Sequence, residues 1–463
     1  MLRRIVCLAL WGLVACSLHW AARTSAWAQG GGEEQNPGIA GVLIDANGVL
    51  RIEIFDPRAQ AAQVEAARAG LPPNLAKPSE LRKISLTRLE AAIGRQLDMG
   101  RQLTNEMRHL VGLTRVQYVF LYPETGDIVI AGPAEPWAED ASGRVRGLES
   151  GRPIVELQDL VVALRAFPPG GANSPMIGCS IDATPEGLAS LQDFIKQQMP
   201  RTVSANTDVR PIAAAMRTSL GNQVVSVLGV SPQTHFAQVL VEADYRMKLI
   251  GIGLEQPPIK LASYVSLANP SQVARNAMQR WFFTPNYECL RVSEDEQALE
   301  LVGLGVKLVN ADEVVQADGS RAATGSVDRA SRRFVDSFTK KYPELAAKSP
   351  VYAQLRNLID LSVVAAYMQQ RDFYGRASWT AATFADEQKL PVETYQAPVE
   401  VPSAINLLQK GGQWMMPIGG GVSIEAAQAL DAENLLEDEG GGVQKARGEI
   451  TLDHLTEGQW WWD

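Results

Sequence analysis

Residues 221–255 read GNQVVSVLGVSPQTHFAQVLVEADYRMKLIGIGLE. Val224 to Val230 is an apolar, β-branched run, the pattern of a strand covered on both faces. Ser231-Pro232 supplies an N-cap and a proline at the first helical position. Phe236, Val239, Leu240, Ala243, Met247, Ile250 and Leu254 then recur at helical spacing and mark one apolar face. Off that face, Glu242 with Arg246 and Asp244 with Lys248 are i, i+4 pairs of favourable orientation, which reads as a solvated helix surface. A buried strand, a tight loop and a long amphipathic helix therefore organise the chain.

Upstream, Asn47-Gly48 tolerates the positive φ of a two-residue turn and predicts a hairpin from Ala40 to Phe55. A short helix is expected from Arg58 to Ala69. Ser85 or Thr87 caps a helix running to about Leu110, with Thr87 and Glu90 at capping-box spacing. Thr114 to Leu121 pairs as a strand with Asp127 to Ala131. Glu156 to Ala166 is helical, Met176 to Ile181 is a strand, and Thr184-Pro185-Glu186 starts another helix. Downstream, Arg280 to Val292 reads as an aromatic-rich hairpin turning at Thr284-Pro285-Asn286, followed by strands over Leu299 to Val309 and Val314 to Gln316. Ser326 to Tyr374 is helical with breaks at Tyr342-Pro343 and Ser349-Pro350. Beyond Arg376 the chain turns Pro- and Gly-rich and reads as a wrapping or irregular tail. The expected class is α+β: a mixed sheet with packed amphipathic helices over 38–318, a helical hairpin appendix over 325–375, and an irregular C-terminal extension over 376–463.

The N-terminus reads as an export signal. Arg3 and Arg4 precede an apolar run, and Ala26-Trp27-Ala28 is an A-x-A site, so residues 1–28 are a signal peptide cleaved after Ala28, with a flexible leader over 29–37. The periplasm or the exterior is the expected destination. Two alternatives stand beside it: lipid anchoring at Cys16 of a lipobox-like Leu13-Val14-Ala15-Cys16, or an uncleaved N-terminal membrane anchor. Cleavage removes three Arg and no acid, taking the formal charge from −9 to −12. That acidity, with no block of Lys and Arg, argues against a nucleic-acid partner, which needs cations to displace phosphate counterions. Of four Cys, Cys179 and Cys289 survive cleavage; a disulfide between them and two separate buried thiols are both compatible with their strand-like surroundings.

Four blocks carry a resemblance: YVFLYPETGDIVIAGPAEPW (118–137), GCSIDATPEGLASLQ (178–192), THFAQVLVEADYRMKLIGIGLE (234–255) and YECLRVSEDEQALELVGLGVKL (287–308). They resemble the domain of unknown function numbered 1598, a family of exported planctomycete proteins, densely over about 80–310. The resemblance implies a bacterial envelope or secreted setting and assigns no activity and no functional residue.

Candidate chemistry is sparse. His235, at the start of the central helix, is the candidate general base, with Glu242 and Asp244 as the nearby acids. Helix rise puts Glu242 about 10 Å up the helix, so an orienting carboxylate has to come from another segment. Packing or capping is the plainer role for this His. Tyr245 and Arg246, packed against an aromatic strand holding Trp281, are candidates for lining a binding groove. Trp460, Trp461 and Trp462 are candidates for docking on the protein itself or on a partner. No G-x-S-x-G, H-E-x-x-H or P-loop occurs, and Gly419-Gly420-Gly421 reads as a loop. No metal site and no cofactor are expected. The reading is a non-catalytic envelope module that binds an unknown envelope protein or small ligand; the alternative is a hydrolase-like enzyme centred on His235.

Overall fold

The hairpin between β1 (Ile39–Ile44) and β2 (Leu50–Phe55) forms, but not through a two-residue turn. The Asp45 amide donates to the Val49 carbonyl at 3.1 Å, so Ala46, Asn47 and Gly48 make a three-residue loop in which only Gly48 takes a positive φ, +78°. The computed structural model describes residues 39–55, 70–171, 175–198, 208, 210–269, 277–315, 321–323, 328–408, 413–415 and 417–463. The expectations for 1–28, 29–37 and the 58–69 helix lie outside the described residues.

Two seven-stranded sheets carry the fold, in the α+β class. The first contains β8 (Ile177–Ala183), β9 (Gln223–Leu228), β10 (Ala277–Pro285), β13 (Val306–Val315), β14 (Arg321–Ala323), β15 (Glu400–Val401) and β18 (Pro417–Ile424), in the order β14-β13-β10-β18-β8-β9-β15. It is mixed: β10 pairs antiparallel with β13 and parallel with β18. The second contains β3 (Ser79–Ser85), β4 (Tyr118–Tyr122), β5 (Asp127–Ala134), β11 (Leu290–Val292), β12 (Ala298–Leu301), β19 (Leu435–Glu437) and β20 (Trp461–Trp462), in the order β19-β11-β12-β4-β5-β3-β20. Two small hairpins, β6 (Trp137–Glu139) with β7 (Val145–Gly147) and β16 (Asn406–Leu408) with β17 (Gln413–Met415), complete the strands.

Several sequence expectations are corrected here. Arg280 to Val292 is no hairpin, because β10 pairs with β13 and β11 joins the other sheet, so the chain crosses between sheets around Asn286 to Cys289. β9 is not covered on both faces: Val225 is buried, but Val224 and Leu228 are 41% and 50% exposed. Gly419-Gly420-Gly421 is not a loop but part of β18, mid-sheet between β10 and β8. A Cβ on Gly421 would stand 1.9 Å from the Cys179 carbonyl oxygen, so close strand packing demands glycine there.

Among the described residues, the α-helices longer than four residues are α1 (Leu86–Asp98), α2 (Leu157–Ala166), α3 (Pro185–Gln198), α4 (Arg210–Leu220), α5 (His235–Gly251), α6 (Arg329–Lys340), α7 (Tyr342–Lys348), α8 (Pro350–Gln370) and α9 (Gly442–Gly448). Ser85 caps α1, its hydroxyl accepting from the Arg88 amide. Glu90 does not close a capping box; its carboxylate accepts from the Thr383 and Phe384 amides at 2.6 and 2.9 Å and ties down that loop. α1 ends at Asp98, not near Leu110, and the chain leaves the helix at Gly100, a poor helix former.

α5 differs most from its sequence reading. Thr234, not Ser231, caps it, accepting from the Ala237 amide. Every residue from Phe236 to Gly251 except Gln238 is buried, so the expected solvated face does not exist. The first sheet covers one side of α5, and α2 and α8 cover the other. α8 is not an appendix either: all but Arg356 are buried from Val351 to Met368, and residues 38–463 form one compact unit. An aromatic cluster of Phe283, Phe338, Tyr342 and Tyr352 joins β10 to α6, α7 and α8, with ring centroids 5.6–6.4 Å apart.

The segment after 376 is woven in, through β15, β18, β19, α9 and β20. Trp461 and Trp462 pair with Ile84 and Lys83 at the edge of the second sheet. Trp460 packs into the main core, and Trp462 packs with Phe120, Val129 and Val443 under α9. Fully buried Arg82 anchors this edge: it donates to Asp463 at 2.8 and 3.0 Å and to the Val111 carbonyl at 2.7 Å. Asp463→Ala is therefore expected to lower stability by about 1.5–3 kcal/mol, the worth of hydrogen bonds to a charged group, read as a lower urea midpoint at unchanged slope.

Candidate functional site

His235 begins α5 and faces α2. Its Nδ1 lies 2.9 Å from Asp159 Oδ2, and its Nε2 lies 3.9 Å from Glu156 Oε1. The orienting carboxylate thus comes from a distant segment, and neither Glu242 nor Asp244 bonds the ring. Asp159 left one trace in sequence, an acid set among Leu157, Leu160 and Val161 on a helix whose middle is buried. Burial pulls the His235 pKa down, but Asp159 and then Glu156 more than offset that and leave it at about 9.

A polar chain continues inward from the ring. Gln354 Nε2 stands 3.3 Å from His235 Nε2, and Arg144 Nε donates to Gln354 Oε1 at 3.0 Å. Arg144 Nη2 bonds Glu242, which also accepts from Arg246 at 3.3 Å, and Arg246 donates to Glu255 at 2.7 and 2.9 Å. Because Arg144 needs an acceptor, it fixes the Gln354 amide with its NH₂ toward Nε2, a geometry that suits a neutral ring. The two carboxylates favour the protonated ring over that single long bond, worth about 1 kcal/mol, although Glu156, at 3.9 Å from Nε2, acts through charge and not through a hydrogen bond. Nδ1 is hydrogen-bonded to Asp159 and Nε2 stands against Gln354, and among the described residues no hydroxyl or thiol bonds the ring. His235 is placed as a structural cation joining α2 to α5.

The remaining sequence candidates are also core parts. Asp244 pairs with Lys248 at 2.7 Å, and Lys248 also donates to the Ile181 carbonyl at 3.2 Å. Asp244 is fully buried and its Oδ1 has no partner among the described residues; burial drives its pKa up and Lys248 pulls it back, leaving it at about 6. Tyr245 is buried and donates to the Pro402 carbonyl, and Arg246 is spent on its two carboxylates. Trp281 is fully buried against Tyr264 and Phe334, its Nε1 donating to Ser331. Tyr245, Arg246 and Trp281 are thus buried in the core rather than exposed on a groove among the described residues.

Cys179 and Cys289 are free and buried, one in β8 of the first sheet and the other beside β11 of the second, so the disulfide does not form. Burial drives both thiols far above neutrality, Cys289 to about 12, which leaves no reactive thiolate. His109 Nδ1 accepts from Trp137 Nε1 at 3.1 Å, while His454 is exposed beside Thr451. No His, Cys, Asp and Glu cluster fit for a metal occurs among the described residues.

The C-terminal tryptophans instead border an open cleft. It has a volume of about 450 Å³, within the usual range for ligand sites, and lies between α1, the turn Asn105–Arg108 and the segment 458–461. Trp460, Trp461, Met99 and Met107 give it an apolar wall; Arg95, Gln96, Thr104 and Glu106 supply polar groups. Met99 is 53% exposed, unusual for so large an apolar side chain. Of these lining residues the sequence reading singled out only Trp460 and Trp461; Arg95, Gln96 and Glu106 gave no signal, since lone polar residues on a helix face look like any solvated surface.

Residues 179–264 match the family described as Protein of unknown function (DUF1598). The chain resembles that family over this span. It runs from β8 to the turn after α5, so the likeness lies in the first sheet and its central helix, and neither Trp460 nor Trp461 falls within it. No curated protein and no solved structure matches the chain. Among the described residues, no helix is long and apolar enough to cross a membrane.

Proposed function

We propose that this chain is an exported, non-catalytic binding protein whose ligand sits in the cleft bordered by Trp460 and Trp461. One observation carries the reading: partly open indole and thioether surface in a cleft that also offers polar side chains, the usual composition of a small-ligand site. The catalytic alternative is less favoured, because His235 Nδ1 is hydrogen-bonded to Asp159, Nε2 stands against Gln354, and among the described residues no serine, threonine or cysteine side chain bonds the ring. Export rests on the Arg3-Arg4 start, the apolar run and the Ala26-Trp27-Ala28 site.

Two measurements test the proposal. Titrating the full chain with anilinonaphthalene sulfonate is expected to give saturable one-to-one fluorescence with energy transfer from tryptophan, weakened at least about tenfold by Trp461→Ala at unchanged circular dichroism. Non-saturable or Trp461-independent fluorescence would overturn the cleft. Mass spectrometry of the exported product is expected to show an N-terminus at Gln29; a chain retained on membranes with Cys16 acylated or residues 1–28 intact would overturn soluble export.

A further inference from the structure

We infer that the cleft takes a neutral, polyhydroxylated ring: one or two units of an oligosaccharide chain. This rests on the binding reading above and names its ligand class. The argument starts from the aromatic wall. The Arg82 guanidinium lies over one face of Trp461, 5.1 Å from the ring centroid, and is itself fully buried and no part of the cleft lining. The opposite face of the indole is therefore the one a ligand meets. A flat electron-rich ring pairs well with the C–H face of a pyranose, which is apolar on its faces and polar at its rim.

The rim of the cleft matches that second requirement. Arg95 and Gln96 project from α1 and Glu106 from the facing turn. Arg95 and Glu106 are opposite charges lining one cleft, yet they form no ion pair, and none of the three side chains has a hydrogen-bond partner among the described residues. A donor fork, an amide and a carboxylate left unspent around an apolar wall suit hydroxyls, which both donate and accept. The alternatives fit less well. A lipid chain would strip water from three polar groups and return no hydrogen bonds. A phosphorylated or polyanionic ligand would meet one Arg against one Glu, in a chain with net charge −9. The volume of about 450 Å³ admits a ring or two and leaves the rest of a polymer outside.

The test is competition on the full chain. Hexamers of β-linked glucose and of N-acetylglucosamine are titrated against bound anilinonaphthalene sulfonate and, without the dye, against tryptophan emission. The expected result is dye displacement and a saturable emission change by at least one sugar, weakened about tenfold or more in both Arg95→Ala and Glu106→Ala, variants of partly or fully exposed side chains that leave the urea midpoint unchanged. If the dye binds through Trp461 but neither sugar displaces it, the saccharide assignment is overturned while the binding reading stands. If sugar binds equally well to both variants, the assignment to this cleft is overturned. If neither dye nor sugar binds, both are overturned.

Discussion

Lys248→Met is expected to destabilise the protein by about 3–5 kcal/mol near neutral pH, although the substitution is close in volume and raises helix hydrophobicity. Lys248 is 2% exposed and supplies the only partner that fully buried Asp244 has among the described residues, so its loss leaves an uncompensated carboxylate inside the first sheet's helical cover. The sign with pH is fixed. Asp244 already has a folded pKa of about 6, above its ordinary value, because burial outweighs the pull of Lys248. A carboxyl raised on folding contributes most below its unfolded pKa and loses that contribution as pH rises through the folded one. The Lys248→Met loss should accordingly shrink at pH values near 5, where Asp244 can be protonated, and be largest above neutrality. Asp244→Leu with Lys248→Met should recover most of it, since replacing a whole buried pair by apolar groups is often near neutral. Urea midpoints across pH check both statements.

The second large effect belongs to His235. Its folded pKa of about 9 lies above the 6.5 of a free imidazole, so protonation stabilises the fold. That contribution is fully present below about 6.5 and is lost as pH rises to about 9. A shift of this size corresponds to about 3 kcal/mol. His235→Gln should remove it, lowering stability most at pH 6 to 7 and flattening the pH profile between about 6.5 and 9. Asp159→Asn should act in the same direction with a smaller effect, because Glu156 still faces the ring. Denaturant midpoints of the three proteins across that window decide it.

Much of the local structure was legible because its causes are local. The chain reversal at Asn47-Gly48, the Thr184 cap of α3 and the Pro343 and Pro350 breaks follow from short-range backbone chemistry. The 118–131 hairpin was legible too. α5 was legible as a helix but not as a buried one. An i, i+4 charge pair looks the same in sequence whether water or another helix covers it, and the groups that permit burial here, Arg144, Glu255 and the Ile181 carbonyl, lie outside the pattern. Gly419 to Gly421 misled for a related reason: glycine marks loops, but it also serves strands whose neighbours come too close for a Cβ. Asp159 and Glu156 escaped notice as partners of His235 because nothing local links residues nearly eighty positions apart. The Trp460 to Trp462 run drew notice in sequence, and Trp460 and Trp461 line a cleft. What sequence withheld was the geometry, in which β20 fixes the tryptophans to the protein's own sheet and leaves indole surface on a cleft beside α1.

A buried charged spine runs along α5, and Trp460 and Trp461 line an open cleft. In our proposal these divide the roles, the first holding the fold and the second meeting a ligand. The most direct test carries His235→Gln and Arg95→Ala through one pair of assays, urea unfolding and fluorescence titration with the sugar or dye that binds the unmodified chain. His235→Gln should lose about 3 kcal/mol of stability at pH 6 to 7 and keep its affinity, while Arg95→Ala should keep its stability and lose affinity about tenfold. Loss of binding in His235→Gln under conditions where it remains folded, with Arg95→Ala unaffected, would contradict the division and return function to His235.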